Sequence, residues 1–362
     1  MSTRRGVWIF VFCFSLISGL AQQNGPAVQS EPQASFPLAS ADRRMTLDVV
    51  VTDKSGRPVS GLQQQDFTLL DNKQPSKIVS FHAVEGGAAT ADPPVEVILL
   101  VDDVNTTISK VAFERDQIGR FLRRNGGELA RPVSTVIFTD SGITIGDTSS
   151  RDGNAVIADF NQKRSGLRQI GRAQGFYGAS DRLQLSLHSL EQLADYEAPR
   201  PGRKLVVWIS PGWPLLSRPG VMLTSKDQQG LFNSIVALSD RLRKARITLY
   251  AVDPLGTEDA LGFLMTQYKQ FLKPVRKAGQ AQVGNLALQV LAYQSGGRVL
   301  NSNNDVTGEI EACDADANSF YVLSFDGLPG DGPNEYHGIE IKIDKPGLKA
   351  RTRSGYYAQP EH

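Results

Sequence analysis

The sequence predicts an α/β protein: a mostly parallel sheet with helices on both faces, plus a small accessory β module built from N- and C-terminal segments. Three observations predict it. Apolar runs ending abruptly in polar residues recur at Val95 to Asp103, Lys204 to Ser210 and Arg246 to Asp253, as buried parallel strands do. Between them run helical stripes: Ile118, Phe121 and Leu122; Leu183, Leu187, Leu190 and Ala194; Leu231, Ile235, Leu238 and Leu242. At both ends the texture changes to short alternating segments separated by turn residues.

Taken in order, Arg4 and Arg5 precede an apolar stretch from Gly6 to Leu20, followed by the small-x-small pattern Gly19-Leu20-Ala21. This predicts a secretory signal peptide over residues 1–21, cleaved after Ala21. The stretch is short for the roughly 20 residues a membrane span needs, and no second long apolar segment follows, so no membrane span is expected after cleavage. The Gly6-Val7-Trp8 that follows the paired arginines does not fit a twin-arginine pattern. Residues 22–44 are rich in Gln, Pro, Ser and Ala, a composition that predicts a flexible leader.

Residues 45–85 form the N-terminal part of the β module. Leu47, Val49 and Val51 alternate, as do Ile78, Ser80 and His82, and the turns fall at Asp53 to Gly56 and Asp71 to Lys73. Gly86 to Pro94 reads as a linker. The α/β domain spans 95–312, with a further strand at Val133 to Phe138. It closes on a helix, the Gly296-Gly297 turn and a short strand within Leu288 to Asp305. A C-terminal β extension over 318–358 has a strand at Phe320 to Phe325, a long turn, and the alternation Ile339, Ile341, Ile343.

Bulk composition excludes several classes. The 362 residues are 21% charged and 40% hydrophobic with a formal net charge of +1, so nothing favours nucleic acid or an anionic membrane surface. Of two cysteines, Cys13 lies in the signal segment. Cys313 then has no internal disulfide partner, and no metal-type cysteine spacing exists. It reads as a half-buried structural residue.

The segment VVVTDKSGRPVSGLQQQDFTLLDNKQPSKI (Val49 to Ile78), the strand-to-loop phrase VEVILLVDDVNTT, and the tail PGLKARTRSGYYA resemble the VWFA-related acidobacterial proteins. In these a Rossmann-like von Willebrand factor A domain carries flanking β segments. The resemblance covers Met45 to Ala358. It implies a protein-interaction or adhesion-type module that binds at the carboxyl edge of its sheet, where A domains often hold Mg²⁺ or Mn²⁺ with oxygen ligands from three loops. Hard divalent ions suit such ligands. Matched residue by residue, Asp102 takes the first Asp position and Thr106 the second hydroxyl position. Val104 stands in place of a serine, Ser180 is the stand-in for the second-loop threonine, and Ser210 replaces the third-loop aspartate. The implied metal site (Asp102, Thr106, Ser180) is therefore degenerate, one carboxylate and one hydroxyl short. The competing reading is that Asp102 and Thr106 cap the following helix and satisfy loop amides.

Other candidates at the same edge are Asp103, Asn105, Ser210, Trp213, Phe176 and Tyr177 as partner-binding residues. Phe176 and Tyr177 tip an Arg-rich stretch from Arg164 to Arg182, and tryptophan favours binding hot spots. Trp208, inside its strand, reads as core. Ser210 lacks the Gly-x-Ser-x-Gly context of a nucleophile elbow, and His82, His188, His337 and His362 offer it no obvious base, so a serine hydrolase is a remote alternative. Asp314 to Asn318 lacks the glycine and glutamate of a calcium loop, having Ser319 and Phe325 there. The sequence thus predicts a non-enzymatic exported protein, periplasmic or extracellular, with an unidentified protein partner. Its rival is a metal-free scaffold that binds through the β module or the Arg-rich stretch.

Overall fold

In the computed structural model the described residues are 43–85, 94–146, 149–163, 175–215, 223–254, 264–301 and 304–361. The expected signal peptide, nearly all of the leader and linker, and Arg164 to Gln174 of the Arg-rich stretch lie outside them.

Strands β1 (Arg44–Thr52), β2 (Phe67–Asp71), β3 (Gln74–Ser76) and β4 (Ser80–Glu85) come first. The α/β part follows as β5 (Val95–Asp102), α1 (Ile108–Leu122), β6 (Glu128–Thr139), β7 (Gly142–Ile145), β8 (Ser150–Asp152), α2 (Gly153–Gln162) and α3 (Gly175–Glu197). It continues through β9 (Arg203–Ile209), α4 (Ser225–Lys244), β10 (Ile247–Val252), α5 (Leu288–Gln294), β11 (Val299–Leu300) and α6 (Val306–Asp314). The chain ends with β12 (Ser319–Asp326), β13 (Glu335–Ile343), β14 (Lys349–Arg351) and β15 (Gly355–Ala358).

Among the described residues, the central sheet runs β11-β10-β9-β5-β6-β7, with β8 also on β6. Strands β11, β10, β9, β5 and β6 are parallel, and β7 and β8 are antiparallel additions. The α/β class with a mostly parallel sheet is as the apolar runs predicted. Side chains of β5 alternate between two cores, which is why that strand is apolar throughout. Val97, Leu99 and Val101 face α1, α2 and α6 in one cluster. Ile98 and Leu100 face α3, α4 and α5 in the other. Helix α2 had no counterpart in the sequence reading. It starts where the Asp152 side chain accepts hydrogen bonds from the Asn154 and Ala155 amides, and buries Val156, Ile157 and Phe160.

The two terminal segments interleave into a pair of antiparallel sheets, β14-β1-β12-β4 and β15-β13-β2-β3. Leu47, Val49 and Val51 of β1 meet Phe67, Leu69, Tyr321, Leu323 and Phe325 between the two sheets. Val50, on the opposite side of β1, packs instead into the α/β core. Half-buried Ile339, Ile341 and Ile343 alternate with exposed Glu340 and Lys342 on β13. A buried polar triad sits in this layer. Tyr356 donates to Asp71 at 2.7 Å and lies 3.2 Å from His337 Nδ1.

The α/β layer and the sandwich are tied by Asp316, between α6 and β12 and 1% exposed. Its carboxylate accepts from Tyr250 Oη at 2.8 Å and pairs with Arg351 and with Arg298, whose Nε is 3.5 Å away. Its carbonyl accepts from Arg203 at 3.0 Å. The Arg203 guanidinium stacks 4.6 Å over Phe320. The segment from Asp314 to Asn318 is thus a helix end running into a strand. Cys313 is fully buried rather than half-buried, and burial pushes its thiol far above the usual range, so it is an inert packing residue.

Candidate functional site

The first site is built at the carboxyl end of β5. Asp102 ends the strand with no exposure, and its side chain organises the turn that follows. Oδ1 accepts from the Val104 amide at 3.0 Å and the Asn105 amide at 2.8 Å. Oδ2 accepts from Asn105 Nδ2 at 2.9 Å and from the indole of Trp208 at 3.0 Å. Asn105 also donates to Ser186 of α3 at 3.0 Å, and Ser186 in turn donates to the Arg182 carbonyl. Ser210, at the end of β9, is 1% exposed and accepts from the Gly212 amide at 3.1 Å. Burial raises the Asp102 pKa, and hydrogen bonds from Asn105, Trp208 and Ser210 offset part of that rise.

Whether these residues fit a metal ion turns on the Asp102 oxygens. Both Asp102 oxygens already accept hydrogen bonds, from the Val104 and Asn105 amides, the Asn105 carboxamide and the Trp208 indole, with Ser210 as a further donor, and a cation would have to displace them. The degenerate set therefore does not fit Mg²⁺ or Mn²⁺. Asp102 organises the loop amides, as the competing reading proposed, although it does so within the turn before α1, and the N-cap residue of that helix is Thr107.

Ser180 is half-buried on α3 and makes no hydrogen bond to this cluster. The α3 hydroxyl that does so is Ser186. Thr106, 4% exposed, faces Glu114 of α1 instead of Asp102. Four residues expected to touch a partner are buried: Asp103, Asn105, Ser210 and Trp213, at 7%, 5%, 1% and 4% exposure. Trp213 packs edge-on against Trp208, ring centres 5.0 Å apart, so it is core. Trp208 is core as read. Tyr177 is 80% exposed and remains accessible. Phe176 lies on α3, with its side chain outside the described part. Of the histidines, His82 and His188 are exposed, and His337 is buried in the sandwich.

What the sequence reading missed is buried acid. Glu114, on α1, is fully buried, and burial, then Asp102 and Asp103, raise its pKa well above the usual carboxylate range. Glu309, on α6 and 4% exposed, is pushed up to about 8 by burial and then by Asp253 and Asp305. On a helix such residues read as solvent-facing, and the packing of α1 and α6 against each other and against the central sheet hides them. A carboxyl whose folded pKa lies above its unfolded one keeps extra protons when folded, so stability falls as pH rises from about 4.5 to about 8. The expected result is a midpoint that declines across this window in the native protein. In Glu309→Gln the decline should be shallower, which thermal melts at pH 5 and pH 9 would read directly.

Helix α3 gives the edge its relief. Its C-terminal end lies at the opposite edge, where Lys204 at the start of β9 donates to the Glu197 carbonyl at 3.1 Å. Ser186 already stands level with Asn105 beyond the end of β5. At 1.5 Å per residue, Tyr177 extends about 13 Å further along the helix axis. The first turns of α3 therefore overhang the sheet edge.

No family model matches the chain, and no characterised protein sequence does. Solved structures do. The pilus adhesin SpaC from Lactobacillus rhamnosus GG, in its open conformation, is 10% identical with a TM-score of 0.36 over 83% of this chain and 49% of its own. Proximal thread matrix protein 1 from the mussel byssus is 12% identical with a TM-score of 0.34, over 62% of this chain and 48% of its own. The SpRpn10 VWA domain is 12% identical with a TM-score of 0.27, over 60% of this chain and 94% of its own. The chain spans about half the length of the adhesin and the byssus protein.

Proposed function

We propose that this chain is an exported, non-enzymatic protein-interaction module of the von Willebrand factor A type, which takes a protein partner at the carboxyl edge of its parallel sheet without a metal ion. The observation that carries it is the overhang of α3, with exposed Tyr177 held above an edge whose loop is pinned by Asp102, Asn105, Ser186 and Trp208. A rigid support with a projecting aromatic loses little entropy on binding, which suits recognition. Export rests on the Arg4-Arg5 and Gly6 to Leu20 pattern, and fractionation of the producing cell with N-terminal sequencing at Gln22 tests it.

The site is tested by placing a photo-crosslinking phenylalanine at 177 and, as a control, at Tyr293 on α5, also exposed. A crosslinked species specific to position 177 in the native envelope supports the proposal. Identical patterns from both positions, or none, count against it. Metal independence is tested separately: the thermal midpoint should be the same in EDTA and in millimolar Mg²⁺, Mn²⁺ or Ca²⁺. An ion bound at 100 times its dissociation constant would add about 2.7 kcal/mol. A midpoint shift that disappears in Asp102→Asn would overturn this part.

A further inference from the structure

The connection from β10 to α5 is long and has little regular structure. Strand β10 ends at Val252 and α5 begins at Leu288. The described part of the interval, from Leu264, holds only short 3-10 turns at Leu264–Phe271, Ala278–Gln280 and Val283–Leu286. Connections of this length inside a packed domain usually carry function. Its composition is also uneven. From Ala260 to Asn304 the sequence contains no Asp or Glu, in a chain whose 38 acids nearly balance its 39 basic residues. Lys269, Lys273, Arg276 and Lys277 crowd into the middle of that stretch.

Buried side chains hold the segment against the domain and turn those cations outward. Phe271, Val275, Ala281 and Leu286 are buried, whereas Lys269, Lys273, Arg276 and Lys277 are exposed. Hydrogen bonds fix the backbone between these anchors. Buried Asn285 accepts from the Gln282 amide at 2.8 Å and donates to the Phe271 carbonyl at 3.1 Å. The Arg276 amide donates to Gln280 Oε1 at 3.0 Å, and the Val275 carbonyl accepts from Tyr357 Oη at 3.0 Å. The Arg276 guanidinium lies 5.5 Å from the centre of the Tyr336 ring, which directs it. Cations on so constrained a backbone cost little further backbone entropy when an anion binds.

Among the described residues none of the four makes an ion pair. Arg298 of the same stretch turns inward to Asp316, and the basic side chains at the end of α4 pair with Asp195 and Asp240. Asp227, on the helix that packs against Ala278–Gln280, is engaged by Thr224 in the α4 cap. The surroundings also select the class of anion. Among the described residues between 267 and 287, no large apolar side chain is exposed. Stable attachment to a lipid surface needs an apolar anchor beside the charges, and single-stranded nucleic acid needs aromatic faces to stack on. Carboxylates on a protein segment need only cations at fixed positions.

We infer that this surface docks an acidic segment of a partner protein, with Lys273, Arg276 and Lys277 at its centre and Lys269 at its margin. It lies off helix α3, so it stands whether or not the sheet edge binds.

The test is the fluorescence anisotropy of a labelled glutamate-rich peptide titrated with the full chain, beside the matching glutamine peptide. The glutamate peptide should bind saturably and weaken as salt rises, and the glutamine peptide should not bind. Lys273→Glu with Lys277→Glu should weaken binding at least about tenfold, because like charges then face the peptide. Both positions are exposed, so this pair should melt as the native chain does. Lys54→Glu with Lys77→Glu, exposed on the sandwich, changes the net charge equally and should leave binding within about twofold. Absence of saturable glutamate-peptide binding at low salt would overturn the inference, as would equal losses from the two pairs. Retention on phosphatidylglycerol vesicles, absent with phosphatidylcholine and abolished by Lys273→Glu with Lys277→Glu, would overturn the assignment to a protein segment in favour of a membrane.

Discussion

Asp316→Ala is expected to destabilise the protein by about 3–5 kcal/mol, the cost of breaking a buried ion pair by removing one partner. Three cationic side chains and a phenol converge on this residue, and only its backbone carbonyl survives the substitution. Arg351 and Arg298 would lose their carboxylate, and Tyr250 Oη would lose its acceptor inside the core. Burial and the Asp316 charge hold the Tyr250 phenol well above its usual pKa, so it stays a neutral donor at any physiological pH. Urea denaturation of the variant beside Asp314→Ala makes the comparison, since Asp314 is more exposed and pairs with a single arginine, Arg131. The Asp314 variant should lose the smaller amount. Equal losses, or a loss below about 1 kcal/mol for Asp316→Ala, would mean that water replaces the carboxylate.

Asp102→Ala should also destabilise the protein, by about 1–3 kcal/mol for buried donors left without an acceptor, with a local signature. The donors that lose their acceptor are the Val104 and Asn105 amides, the Asn105 carboxamide, the Trp208 indole and the Ser210 hydroxyl. Hydrogen exchange should accelerate at the Val104 and Asn105 amides more than at the β5 amides behind them. Asp102→Asn should rescue only part of the loss. Its oxygen can keep one pair of donors, but its amide group then faces the others. Unchanged protection at Val104 and Asn105 in the alanine variant would show that the loop is held by something else.

The strands of the parallel sheet were legible because both faces of each are buried, and burial on both faces leaves an apolar run with no gaps. Helices α3 and α4 were legible through their stripes, although Leu187 and Leu231 are only half-buried. Helix α2 was missed because it is short: ten residues are too few turns for buried Val156, Ile157 and Phe160 to show a repeat. Its one clear marker, the capping Asp152, falls among ordinary loop residues. The alternation at the two termini announced strands, but pairing between residues nearly 300 apart in sequence leaves no local trace. At the site, sequence order predicted Asp102 and the strand ends correctly as neighbours. It could not separate Ser180 from Ser186, because the choice depends on how far α3 rises past the sheet. Trp213 read as a surface anchor because it follows the strand, whereas a turn at Gly212, with φ of +105°, folds it back onto Trp208.

The interleaving of the termini has a kinetic consequence. Strand β1 is made early, yet one neighbour, β12, begins at Ser319 and the other, β14, at Lys349. The α/β layer between them can close its own sheet from contacts much nearer in sequence. During synthesis, then, an apolar strand must wait unpaired while most of the chain is made, and the final assembly step is a search across nearly the whole molecule. Such non-local closure is slow and leaves sticky edges exposed meanwhile. Refolding should therefore divide into a faster phase reporting the tryptophans of the parallel sheet and a slower one reporting the tyrosines of the sandwich.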